Sequence, residues 1–136
     1  MLEKELYNGV LTGARRDGIL LVRIVDGSVG RKPADFLGIN RDGRAVIVEV
    51  KKVEKGKQPT TLPNLFEVQQ IEYLRRYALW GGISFALIYY VPNRTMMVYD
   101  FSKEEYVGTL KKEKEGWVGW KECVPSREGI VQRIDG

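Results

Sequence analysis

Pro33-Ala34-Asp35-Phe36-Leu37-Gly38-Ile39, Asn40-Arg41-Asp42-Gly43-Arg44 and Ala45-Val46-Ile47-Val48-Glu49-Val50-Lys51 follow one another without interruption. Two apolar runs flank a polar turn that contains Asp42-Gly43, the pattern of a β-hairpin. With residues 40–44 as the loop, Ile39 pairs with Ala45 and Asp35 falls directly opposite Glu49. Opposed residues share a face of the sheet. Glu49 and Lys51 are two apart, so they share that face as well. Two carboxylates and one ammonium therefore converge on an otherwise apolar hairpin. An exposed Glu-Lys pair on an edge strand is the simpler account. The rest of residues 45–50 is alanine, valine and isoleucine, which reads as buried on both faces and speaks against it.

Carboxylates side by side repel each other unless a cation sits between them. Mg²⁺ is the natural candidate, with Mn²⁺ as the expected substitute, because a hard ion takes oxygen ligands and keeps several waters. The backbone carbonyl of Val50 lies between the two side chains and adds a further oxygen. A metal held there lowers the pKa of a water and stabilises charge on a phosphoryl oxygen. Lys51 stands beside it to orient that water or neutralise the developing charge. The residue types point to metal-dependent phosphodiester hydrolysis.

Composition narrows the alternatives. A chain of 136 residues, 43% hydrophobic, predicts one domain with one core. No run of eighteen apolar residues is present, so no membrane span is expected. Glu3, Lys4 and Glu5 interrupt any secretory leader at once. The lone Cys123 makes no intramolecular disulfide, which suits a reducing cytoplasm, in a prokaryotic cell or a phage-infected host. There is no histidine, which excludes Ser-His-Asp hydrolysis, His-activated cysteine chemistry and nucleases built around a catalytic histidine, and with a single cysteine it argues against a protein zinc site. Residues 27–32 lack the spacing of a phosphate-binding P-loop, so no nucleotide cofactor is expected. The net charge of +4 is carried entirely by residues 1–57. Arg15, Arg16, Arg23, Arg31, Lys32, Lys52, Lys55 and Lys57 are the candidate DNA phosphate contacts there, with Arg41 and Arg44 in the hairpin turn.

Along the chain, residues 2–16 predict an amphipathic helix weakened by Gly9 and Gly13 and ended by Asp17-Gly18. Residues 19–26 predict a strand, interrupted by Arg23. A basic loop follows at 27–32 and another at 54–63. Asn64 with Glu67 resembles a capping box, opening a helix to about residue 79. Residues 83–91 and 95–101 predict a strand pair around Pro92-Asn93. Ser102 with Glu105 reads as a second capping box and predicts a short helix to about residue 111. A charged turn and Trp117-Val118-Gly119-Trp120 end the patterned part. The order predicts a mixed sheet with helices on its faces.

Motif and element order together resemble the PD-(D/E)xK nuclease superfamily, whose signature is an acid, a spacer, then acid-x-Lys. Ala34, between Pro33 and Asp35, departs from that signature. The resemblance implies an α/β fold, a restriction-endonuclease-like αβββαβ core over residues 2–101 with a central mixed sheet flanked by helices, and an addition at 102–136 in the same single nuclease domain. Within the superfamily the chain is most similar to Holliday-junction resolvases of the archaeal Hjc and bacterial RecU types. Glu3-Lys4-Glu5-Leu6, Val22-Arg23-Ile24 with Gly27-Ser28, and Gln69-Gln70-Ile71-Glu72 carry that likeness. It implies Glu3 as the third metal-site acid, with Glu5 the open alternative, beside Asp35, Glu49 and the Val50 carbonyl. Lys51 would be the catalytic lysine, Gln70 a support of the site, and Arg23 and Ser28 contacts near the scissile phosphate. It further implies a Mg²⁺-dependent endonuclease acting on four-way DNA junctions as a homodimer, with a restriction-like or repair nuclease, or a non-catalytic DNA-binding module, as alternatives. Trp80, Met96, Met97 and Trp117 are apolar residues that a small core need not absorb, and they fit core and interface equally well.

Overall fold

Alternation and turn chemistry make the strands, and one sheet gathers them. The computed structural model describes residues 2–25, 32, 34–54 and 65–124. The elements are α1 (Glu3–Arg16), β1 (Ile19–Arg23), β2 (Phe36–Asn40), β3 (Ala45–Val53), α2 (Val68–Leu79), β4 (Ile83–Tyr90), β5 (Thr95–Asp100), β6 (Glu105–Glu113), β7 (Gly116–Val118) and α3 (Trp120–Cys123). The strands lie in sequence order in one seven-stranded sheet. All neighbours are antiparallel except β3 and β4, which are parallel and joined across α2. This is the expected mixed sheet.

The hairpin has the expected register, Ile39 opposite Ala45 and Phe36 opposite Val48. The Asn40 side chain shapes its turn by accepting from the N–H groups of Asp42 and Arg44. Strand alternation then sorts β3. Val46, Val48 and Val50 face one layer with Leu6, Val10 and Phe36. Ile47 and Val53 face the other with Ile71, Leu74 and Ala86. Glu49 and Lys51 belong by parity to this second face, under α2.

Two expectations are corrected. Glu105–Glu113 is a strand, not a helix. Both the N–H and the hydroxyl of Ser102 donate to Asp100 Oδ1, so Ser102 is not free to cap a helix, and the β-formers Tyr106, Val107 and Thr109 extend the sheet. Helix α2 begins only at Val68, with Leu65 and Phe66 ahead of it. Its capping box is Glu67 with Gln70; Asn64 lies outside the described residues. Met96 and Trp117 are buried in the core, which removes them as interface candidates; Trp80 is 88% exposed.

Gly9 and Gly13 have a packing reason. A Cβ on Gly13 would fall inside the Trp117 backbone, and one on Gly116 would collide with the Gly9 carbonyl. The two helix glycines let β7 lie directly against α1. The residues beyond 101 are thus built into the core: Trp117 and Trp120 are among its largest fully buried side chains.

Candidate active site

The site lies where β2 enters the sheet and β3 approaches its end. Asp35 immediately precedes β2, one register step beyond Phe36–Val48, and is therefore opposite Glu49. Each is 3% exposed, and they are hydrogen-bonded to one another. Asp35 Oδ2 accepts from Val50 N at 2.8 Å, and Asp35 Oδ1 accepts from Lys32 Nζ at 3.0 Å. Glu49 Oε2 accepts from Gln70 Nε2 at 2.7 Å. Gln70 is held in turn, since its own Oε1 accepts from Glu67 N at the start of α2.

Like charges this close do not both ionise in a buried place. Burial, then the hydrogen bond and charge of Asp35, push the Glu49 carboxyl up to about 9; Lys32 and Lys51 pull it the other way. Burial also opposes the Asp35 charge, but hydrogen bonds from Glu49, Val50 N–H and Lys32 outweigh it and hold Asp35 below its usual value. One proton is thus carried by Glu49 and donated to Asp35. It marks the point where lone pairs of both carboxylates meet.

That point suits a hard divalent cation: two carboxylates aimed at one position, and a backbone carbonyl beside them. The N–H and C=O of a strand residue point to the same edge. Val50 N–H faces Asp35, so the Val50 carbonyl lies on that edge too. Among the described residues no three carboxylate or cysteine side chains close around one point. Glu3 is therefore not brought into contact with Asp35 and Glu49. It stands across Tyr7 from them, in a cleft of about 340 Å³ lined by Glu3, Leu6, Tyr7, Val50, Lys51 and Lys52. Burial, then the charges of Asp35 and Glu3, raise the Tyr7 phenol above its usual value, and Glu3 accepts its hydrogen bond. Glu5 does not line this cleft.

Lys51 lines the cleft with its Nζ 5.7 Å from the centre of the Phe66 ring. Arg23 stacks on Tyr7, its Cζ 4.4 Å from the ring centre. Lys52 is exposed on the same cleft and pairs with Glu54 at 3.9 Å. Arg15 and Arg16 close the far end of α1, roughly 18 Å from Glu3 at 1.5 Å per residue. Arg16 there pairs with Glu113 and Glu115. Ser28, Arg31, Lys55 and Lys57 lie outside the described residues. A second cleft, of about 320 Å³, adjoins that far end, lined by Arg16, Asp17, Arg41 and Lys121 among others. Its acid is already engaged, since Asp17 accepts from the N–H groups of Gly119 and Trp120.

Two participants escaped the sequence reading. Lys32 is an ion-pair partner of Asp35, where a phosphate contact was expected. Tyr7, within the amphipathic helix, hydrogen-bonds Glu3 on one side and feels the charge of Asp35 and Glu49 on the other. The available signal was its spacing, one helical turn after Glu3.

No family model and no curated protein matches the sequence. The structure does have a solved counterpart, the 1.6 Å structure of Archaeoglobus fulgidus Hjc, a Holliday junction resolvase from an archaeal hyperthermophile. The two are 15% identical and superpose with a TM-score of 0.53 over 84% of each chain. This chain has the Hjc fold. The Hjc-like, restriction-endonuclease-like α/β architecture matches the expected one, and at this identity the likeness speaks for the fold alone.

Proposed function

We propose that this protein is a Mg²⁺-dependent endodeoxyribonuclease that resolves four-way DNA junctions, working as a homodimer and as a single nuclease domain in the cytoplasm. The observation that carries the reading is the buried Asp35–Glu49 pair, with Lys51 next along the same strand face, on an Hjc-like fold. A structural core has no use for two hydrogen-bonded carboxylates that must share a proton.

Asp35, Glu49 and the Val50 carbonyl would hold the cation. When bound, Mg²⁺ supplies Lewis acidity toward a phosphate oxygen and a water of lowered pKa. Gln70 fixes the Glu49 carboxylate through its 2.7 Å hydrogen bond, so ligand geometry is set before substrate arrives. Lys51 brings an ammonium to the cleft, where it neutralises charge as it grows on the phosphoryl oxygens. Glu3, hydrogen-bonded by Tyr7, is the acid that lines the cleft. Arg23 and Lys52 contribute phosphate contacts. No helix among the described residues is long and apolar enough to cross a membrane.

Incubation with four-way junction, linear duplex and flap DNA, each with Mg²⁺ or EDTA, tests the reading. Mg²⁺-dependent cleavage of the junction is expected. Preferential cutting of duplex or flap would make it a restriction-like or repair nuclease. Binding without any cutting in Mg²⁺ or Mn²⁺ would make it a DNA-binding module.

A further inference from the structure

We propose that Lys32 is the resident counter-ion of the Asp35–Glu49 pair, and that a divalent cation enters the site by displacing it toward a DNA phosphate. The inference rests on the metal-site reading above and concerns what must leave when the cation arrives.

Three of the four carboxylate oxygens have a stated partner. Asp35 Oδ2 is tied to Val50 N–H at 2.8 Å, a backbone group of β3 that cannot withdraw without bending the strand. Glu49 Oε2 is tied to Gln70. Asp35 Oδ1 is instead satisfied by a side chain, Lys32 Nζ at 3.0 Å. Lys32 is the mobile partner by construction: its side chain is 24% exposed while that of Asp35 is 4% exposed. Its positive charge also acts on Glu49. An ammonium held against one carboxylate and felt by the other stands beside the point where a cation bridging the two would sit.

The two cations exclude each other. A divalent ion bound to Asp35 would sit within a few ångströms of the ammonium, and like charges repel strongly in a site shielded from water. The burial of both acids adds a steric reason. A Mg²⁺ ion keeps several waters, and a phosphate must reach it. Two acids each 3% exposed receive neither until what covers them moves. A displaced lysine on a flexible four-carbon stem then meets the charge that has just entered, a phosphodiester. Cation loading and substrate binding would thereby assist each other.

The test is calorimetric titration of Mn²⁺ without DNA into the wild type, Lys32→Met and Lys32→Arg, with Lys32→Gln as a polar replacement should the methionine variant misfold. Lys32→Met should bind Mn²⁺ on the order of tenfold more tightly, the equivalent of about one pKa unit of carboxylate–ammonium interaction. Lys32→Arg should stay near the wild type. A lysine that merely braces the site would give the opposite sign, with weaker binding once it is removed. Equal or weaker Mn²⁺ binding in Lys32→Met overturns this inference alone. Absence of Mn²⁺ binding in every protein overturns the metal-site reading as well. In a second arm, the dependence of junction affinity on salt is measured with Ca²⁺ and with EDTA. Lys32→Met should flatten the slope by about one with Ca²⁺ and leave it unchanged with EDTA. The same change in both conditions would mean that Lys32 touches phosphate without any exchange with the cation.

Discussion

Gln70 donates its Nε2–H to Glu49 Oε2 at 2.7 Å and accepts Glu67 N–H at its Oε1, so a single side chain both starts α2 and aims a buried acid. Replacing it should therefore show in two separate measurements. Gln70→Ala removes half of a capping box, worth about 1 kcal/mol in chemical denaturation. It also leaves Glu49 without its orienting donor, and loss of such a partner typically costs about 10- to 100-fold in activity. Single-turnover cleavage should fall by that amount while junction affinity holds. Loss of stability with unchanged cleavage would reduce Gln70 to a helix cap.

The shared proton makes metal-free stability depend on pH in a stated direction. Glu49 ionises at its ordinary value of 4.5 when unfolded and at about 9 when folded. The folded state therefore binds the extra proton between those values. Its contribution is complete below pH 4.5 and is lost as pH rises toward 9, at a slope that approaches tenfold in the unfolding constant per pH unit. Asp35, held below its ordinary 3.8, acts oppositely and only in acid: its contribution is lost as pH falls through the folded value. Urea denaturation in EDTA from pH 5 to 9 should show falling stability in the wild type and a flatter profile in Glu49→Gln, which mimics the protonated acid. Identical profiles would mean that Glu49 is ionised in the fold. Glu49→Gln should also cut DNA at less than about a tenth of the wild-type rate while binding junctions normally, since affinity comes from spread phosphate contacts.

Gly13→Ala offers a test of the α1–β7 contact. Alanine is the better helix former by about 1 kcal/mol, so an isolated helix would gain. Here the added methyl falls inside the Trp117 backbone. Overpacking of that kind costs about 1–3 kcal/mol and more where backbone must move, so thermal unfolding should drop by several degrees. A rise in melting temperature would mean that β7 does not sit on α1 in solution.

The hairpin and its acids were legible because three independent signals agree on them. Alternation sets the faces, Asp42-Gly43 sets the turn, and charge inside a run of valines has no structural motive. Gln70 was legible only through resemblance, since spacing alone does not say which strand a helix glutamine reaches. Lys32 and Asp35 are three apart in a stretch without periodicity, so nothing local says that their side chains meet. The strand β6 was misread because Ser102 and Glu105 have cap spacing. What decides against a helix is Asp100, which engages Ser102 and is buried only because β5 pairs with β4. Gly9 and Gly13 looked like helix faults for the same reason: their use depends on a strand about a hundred residues away in sequence.

The last prediction concerns assembly. A four-way junction presents two opposed strands, and one site makes one nick per binding event, so a twofold dimer is the economical solution. The structure narrows where such a dimer would form. Leu20 pairs with Ile39 and Val22 with Leu37 on the face of β1 and β2 turned away from α1. Leu20, Val22 and Ile39 are 53%, 62% and 46% exposed. On α2, Arg75 reaches Glu104 on the β5 side, while Gln70 reaches β3. Tyr73 and Tyr77 follow Gln70 by helical spacing, so they lie on the flank toward β3 and β2. Leu79 and Trp80, 83% and 88% exposed, end the helix beside the hairpin turn, where Arg44 donates to the Gly81 carbonyl. Exposed large apolar side chains of this kind on one side of the molecule mark an interaction surface. Trp80→Glu should therefore shift sedimentation from two subunits to one, because an interface of the usual 800 Å² or so per partner does not survive a buried, unpaired charge near its centre. The monomer should nick single strands in place of making paired cuts. A mixed dimer of wild type and Glu49→Gln should do the same while binding normally. A wild type that sediments as a monomer both free and on the junction would end the paired-nick reading, and a Trp80→Glu dimer would move the interface elsewhere.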